Sequence, residues 1–307
     1  MKILITGGAG FIGSHLAASL CPRASVRVLD NFRTGRRENL AGLPVELIEG
    51  SILDRTLVAE AMRGVDYVFH LAALVSVPES VAEPQACVEL NVLGLWNVLR
   101  AAEQARVKKL CFASSAAVYG NQPQVPKQEQ MTPDPRSPYA VTKLDGEYYC
   151  RQLAETGRLP TVALRFFNVF GPRQNPAGPY GAAVPIFFRE AAAGRPIVIY
   201  GDGGQTRDFV YVQDIVDALV FVTERSELTG VFNAGYGGQI TVLELARRIV
   251  ELTGSPSPIA FAPERPGDVR HSRASIERLQ AAGWRPRGSL TQGLAQTWLA
   301  LGAGGGG

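Results

Sequence analysis

The chain has 307 residues, a formal charge of +3 and 46% hydrophobic residues, with 33 glycines and 20 prolines. That gives room for one large or two modest domains with a packed core. The basic charge is too small and too scattered to suggest a nucleic-acid partner.

Cys21, Cys87, Cys111 and Cys150 are widely spaced, and the histidines lack ligand spacing, which argues against disulfides or zinc and for a reducing cytoplasm. The opening MKILITGGAGFIGSHLAASL is broken at Thr6, Gly7 and Gly8, so it is not read as a signal peptide. No apolar run is long enough to span a bilayer, so no membrane partner is expected.

Apolar, β-branched runs at 2–6, 25–30, 45–50, 65–72, 107–115 and 160–169 read as strands buried on both faces. Helices are expected between them at 12–20, 54–63, 85–105 and 139–156. This alternation predicts an α/β fold with a doubly wound parallel sheet and right-handed crossovers. After residue 170 comes a long Gly/Pro segment, then helical IFFREAAAG, a strand–glycine turn–strand, a helix over 213–225, a strand over 230–237 and a helix ending at Gly254.

The first strand runs into TGGAGFIG, residues 6–13, where Gly7, Gly10 and Gly13 are evenly spaced. Glycines there let the backbone approach a pyrophosphate, whose charge then meets a helix N-terminus. The next strand ends in Asp30, 17 residues past Gly13. A carboxylate at that place takes ribose hydroxyls and repels a 2′-phosphate, favouring NAD over NADP. Arg33, Arg36 and Arg37 lie close by and could hold such a phosphate, and Asp30 could instead cap a turn.

SPYAVTKLDG, residues 137–146, puts Tyr139 and Lys143 one turn apart after Pro138, which suits a first helical turn. A phenol titrates near pH 10. A neighbouring ammonium and an oxidised nicotinamide both favour the phenolate, so the pair suits removal of a proton from a sugar hydroxyl. FASSAAVYG ends the preceding strand, and Ser114 or Ser115 is placed to bond the reacting oxygen.

Together these motifs resemble the extended short-chain dehydrogenase/reductase family, and within it the UDP-galactose 4-epimerase group. TGGAGFIG, FHLAA, NVLGL, the Ser-Ser strand, YAVTK, RFFNVFGPRQ, GDGGQTRDF and RPGDVRHS carry the likeness across nearly the whole chain. It implies a Rossmann domain over 1–167 plus 211–240, a nucleotide-sugar domain over 168–210 plus 241–300, and a flexible tail over 301–307. The implied catalytic set is Ser115, Tyr139 and Lys143. The implied NAD contacts are Gly7, Gly10, Phe11, Ile12, Gly13, Asp30, Asn31, Ser51, Ile52, Leu71, Ala72, Ala73, Asn91 and Ser114, with Tyr139 and Lys143. For the UDP-sugar they are Ser76, Ser115, Tyr139, Asn168, Val184, Val198, Tyr200, Arg207, Arg265, Asp268 and Ser272.

Family dehydratases carry an Asp-Glu pair, and decarboxylases tend to carry an acid, where this chain has Ala116 and Ala117. Methyl groups move no protons, which leaves 4-epimerisation. Ser272 stands where glucose/galactose-restricted relatives have tyrosine, which opens space for a 2-acetamido group. A GDP-, ADP- or dTDP-sugar enzyme and a non-catalytic NAD sensor are the competing readings. The family's pairing helices imply a homodimer.

Overall fold

The computed structural model describes residues 1–175, 182–264 and 269–303. Strand and helix alternate through β1 (Lys2–Thr6), α1 (Phe11–Leu20), β2 (Ser25–Asp30), β3 (Val45–Glu49), α2 (Arg55–Ala61) and β4 (Tyr67–His70). Helices α3 (Val77–Ala82), α4 (Pro84–Val88) and α5 (Gly94–Gln104) precede β5 (Lys109–Ser115), α6 (Pro138–Glu155), β6 (Thr161–Phe166) and β7 (Asn168–Phe170). The second half holds α7 (Ala183–Ala192), β8 (Ile197–Tyr200), β9 (Thr206–Arg207), β10 (Phe209–Tyr211), α8 (Val212–Glu224) and β11 (Gly230–Ala234). It continues through β12 (Ile240–Thr241), α9 (Val242–Thr253), β13 (Ile259–Ala262), α10 (Glu277–Ala281) and α11 (Leu290–Ala303).

Seven strands form one parallel sheet in the order β11-β6-β5-β4-β1-β2-β3. Winding runs outward from β1 on one side and from β4 on the other. The carboxyl ends of β1 and β4 therefore flank a switch-point crevice, the place where such sheets bind ligands. Both faces are covered: Ile3, Ile5, Leu16, Val28 and Ile215 centre one core, and Leu4, Leu29, Val68, Leu95 and Leu99 the other. The exception is β3, an edge strand that is partly exposed along its length.

A further cluster gathers Phe170, Val184, Phe187, Phe188, Ile197, Ile199, Leu245, Ile249 and Leu294 from the second half. Two-stranded pairings β10-β7, β12-β9 and β13-β8 frame it.

Two expected elements are interrupted. The run 160–169 divides at Phe167, whose N–H donates to Ala234 O at 3.1 Å while the next amide, of Asn168, donates to Asp208 O at 3.0 Å. The Phe167 ring lies in a small separate core with Val118, Tyr119, Ala274 and Ile276, so the chain leaves the main sheet there. The run 85–105 is α4, a π-helical stretch Glu89–Leu93 and α5. Among the described residues no helix is long and apolar enough to cross a membrane, and no His/Cys/Asp/Glu cluster could hold a metal.

Candidate active site

The loop between β1 and α1 is built for close approach. Gly7 lies at φ +73°, and a Cβ there would meet Ala72 N at 2.7 Å. At Gly13 it would sit 2.2 Å from Gly7 O, so no side chain fits. Gly10 is extended ahead of α1 and supplies no side-chain cap. The amides of Phe11, Ile12 and Gly13, in the first turn, therefore have no carbonyl ahead of them within the helix, which makes an anion cradle.

Asp30, 7% exposed, closes this loop from β2. Its Oδ2 accepts from Ala9 N at 2.9 Å and its Oδ1 from Phe32 N at 2.8 Å. The carboxylate thus holds the turn that borders the cradle, the turn-cap role that the sequence offered beside ribose binding. Asn31 accepts from Arg33 N, and Ser51 Oγ from Leu53 N at 3.2 Å, each stabilising its own turn. Ile52 is buried beside them. Leu71 N donates to Thr6 O at 3.0 Å, which places Leu71, Ala72 and Ala73 at the sheet's carboxyl edge against Gly7.

The Asn91 side chain is tied into the protein. It is 4% exposed, and its amide is used on protein partners. Oδ1 accepts from Leu74 N at 2.7 Å, while Nδ2 donates to Leu74 O and to Thr142 Oγ1, both at 3.0 Å. It ties the loop after β4 to α6.

Helix α6 begins at Pro138, with Ser137 Oγ accepting from Ala140 N at 3.2 Å. Lys143 is buried, and its Nζ donates to Ala113 O at 2.8 Å and lies 5.8 Å from the Tyr139 ring centroid. Burial lowers its pKa to about 8. The neighbouring Ser115 hydroxyl favours the Tyr139 phenolate, yet burial outweighs this and raises the phenol above its ordinary value. The polypeptide therefore does not by itself produce the lowered phenol that the sequence suggested. Ser115 Oγ also accepts from Ala117 N at 3.1 Å. Ser114 is turned away: its hydroxyl donates to Glu147 Oε1 at 2.5 Å, inside the core. Of the two serines, only Ser115 neighbours the phenol, while the Ser114 hydroxyl is engaged by Glu147.

The second half forms a cleft of about 470 Å³. Asn168, Val184, Val198, Tyr200 and Arg207 all line it, so five side chains named from separate motifs come together. Sequence reasoning missed Ala183, Phe187, Gln205 and Phe209, which line it too. They carry no polar signature except Gln205, 7% exposed, which donates from Nε2 to Tyr200 O at 2.8 Å. Ser272 N donates to Thr206 O at 3.1 Å, which brings Ser272 beside Arg207. Ser76 caps α3, accepting from Glu79 N at 3.2 Å. Arg265 and Asp268 lie outside the described residues. Asp208, fully buried, accepts from the amides of Tyr236, Gly237 and Ala274 and so holds the strand and its turn together.

The model of the NAD dependent epimerase/dehydratase family matches residues 3–235. The chain belongs to this family. UDP-glucose 4-epimerase of Mycolicibacterium smegmatis is 38% identical over 305 residues, covering 97% of each chain. Among solved structures, UDP-N-acetylglucosamine 4-epimerase of Methanobrevibacter ruminantium, in complex with UDP-N-acetylmuramic acid, aligns with a TM-score of 0.96. It is 37% identical and covers 99% of this chain and 98% of that one. Thermus thermophilus UDP-glucose 4-epimerase, in complex with NAD, gives 0.91 at 38% identity, covering 98% of both. As in the rest of the epimerase/dehydratase family, the cofactor is NAD. The cradle suits it, because the space a Cβ would fill at Gly7 and Gly13 is already taken by backbone.

Proposed function

We propose that this protein is an NAD-dependent 4-epimerase of UDP-hexoses, interconverting UDP-Glc with UDP-Gal and UDP-GlcNAc with UDP-GalNAc. The observation that carries the reading is the Ser115–Tyr139–Lys143 constellation at the carboxyl end of β5, followed by Ala116 and Ala117. A proton can be taken and returned there, and the two positions after Ser115, where an acid would expel water or assist decarboxylation, are alanines. The relatives named above support the substrate class.

NAD, held by the glycine loop and Asp30, would supply a reversible hydride acceptor for the sugar's C4, so that the substrate passes through a transient 4-keto sugar. Tyr139 takes the C4 hydroxyl proton and gives it back to the ketone oxygen, so one group serves both half-reactions. Ser115 hydrogen-bonds that oxygen. Lys143, charged below about pH 8, offsets the burial that opposes the phenolate. Gly7 to Gly13 cradle the pyrophosphate, Asp30 takes the adenosine ribose, and Ile52, Leu71, Ala72 and Ala73 wall the cofactor.

In the other lobe, residues 168–210 plus 241–300, Val198 and Tyr200 flank uracil, and Asn168, Arg207 and Arg265 bind the diphosphate. An arginine fork matches phosphate oxygens. Asp268 binds the uridine ribose. Anchoring through UDP leaves the hexose free to turn over between hydride steps.

The test is incubation of the purified protein with UDP-Glc, UDP-Gal, UDP-GlcNAc and UDP-GalNAc without added cofactor, followed by product separation. C4 epimers are expected from all four. A 4-keto-6-deoxy or decarboxylated product, or no product, overturns the reading.

A further inference from the structure

Tyr139, Lys143 and Glu147 are spaced four apart on α6 and so share one face of the helix. Each meets a different residue at the end of β5. Tyr139 neighbours Ser115, Lys143 Nζ donates to Ala113 O, and Glu147 Oε1 accepts from Ser114 Oγ. Lys143 and Glu147 thus grip the two residues that lead into the serine at the reacting end.

Glu147 is itself immobilised. Arg165, from β6, donates Nε to Oε1 at 2.9 Å and Nη2 to Oε2 at 2.7 Å, a bidentate pair with side chains 3% and 4% exposed. Arg165 also lies 4.8 Å over the Tyr119 ring and donates to Glu129 O. A planar fork on both carboxylate oxygens leaves the carboxylate one orientation. A buried ion pair is weak support for stability, because matched apolar side chains often do as well. Its retention behind a reacting pair therefore asks for another reason.

We propose that Glu147, locked by Arg165, is a positioning residue for the reaction: it fixes Ser114, and through it Ser115, in register with Tyr139, and from one turn along the same helix face its negative charge favours the Lys143 ammonium. The groups facing Lys143 are Tyr139, Glu147 and Cys150 from α6, Cys87 from α4, and the neutral His70 from β4, with the Phe112 ring 5.0 Å away. Glu147 is the carboxylate in that set. Its charge opposes the loss of the Lys143 proton that burial promotes.

The inference rests on the epimerase reading, and wild-type turnover of UDP-Glc separates the two: if it is absent, that reading fails first. The variants are Glu147→Gln, which keeps shape but removes charge, and Ser114→Ala, which removes the hydroxyl grip and leaves the ion pair. Both are assayed as NAD-loaded protein across pH, with thermal unfolding followed in parallel. For Glu147→Gln, kcat falls about 10-fold or more with KM little changed, and the alkaline limb of kcat moves down by about one pH unit. The direction follows because loss of a nearby negative charge lets Lys143 deprotonate at lower pH. For Ser114→Ala, kcat falls and the limb stays in place. Wild-type kcat in either variant overturns the proposal, as does a Glu147→Gln profile with an unmoved limb. Should Glu147→Gln fail to fold, Ser114→Ala with wild-type kcat still overturns it.

Discussion

Under the proposed function, Ser272 is the side chain that would set the size of sugar the site admits. The residue is partly buried, and its amide donates to Thr206 O, next to the arginine assigned to the diphosphate. A tyrosine ring there takes up the space that a 2-acetamido group needs. Ser272→Tyr is expected to suppress turnover of UDP-GlcNAc and UDP-GalNAc, by about 10²-fold if the added clash is about 3 kcal/mol, while sparing UDP-Glc. Parallel kcat/KM measurements check this, and equal loss on both sugar classes contradicts it. Other residues were legible in type but not in aim. Two adjacent serines at a strand end are indistinguishable in sequence, yet alternation along β5 sends Ser114 to Glu147 and leaves Ser115 to Tyr139. Asn91 reads as a cofactor contact by motif. Its partners, Leu74 and Thr142, are brought to it only by tertiary folding.

The helices on one flank of the molecule carry apolar side chains that the chain itself leaves uncovered. Val81 on α3 is 62% exposed, Val88 on α4 46%, and Val141 and Tyr148 on α6 51% and 47%. These helices pack on one another, with α6 touching both α3 and α4. An unpartnered apolar face of this kind suits a second copy of the chain. Sedimentation at micromolar concentration is expected to give a dimer that Val141→Glu/Tyr148→Glu converts to monomer; a monomeric wild type contradicts the assignment. The strand-and-helix order of the first 166 residues was readable because buried parallel strands are continuous apolar runs and α6 announces itself with Ser137 and Pro138. The short elements α3, β13 and α10 and the C-terminal helix α11 were not, because they carry no distinctive period or motif. The break at Phe167 depends on Ala234 and Asp208, far along the chain.

At the scale of the whole molecule, the parallel sheet presents the glycine cradle and the Tyr139–Lys143 helix at the same carboxyl edge. The second-half core holds open a cleft lined by Asn168, Val198, Tyr200 and Arg207. In the proposed reaction one lobe would bind what exchanges hydride, the other would anchor what is turned over, and a single phenol would serve both passes. Burial alone makes that phenol a poorer acid than usual, so its basicity at neutral pH depends on the positive charge brought beside it by Lys143 and the oxidised cofactor. The most direct measurement is the UDP-Glc/UDP-Gal interconversion rate of Tyr139→Phe, alongside its content of bound NAD. NAD content equal to wild type with kcat lower by about 10²–10⁴-fold is the predicted result. Interconversion at the wild-type rate without the phenolic oxygen contradicts the account.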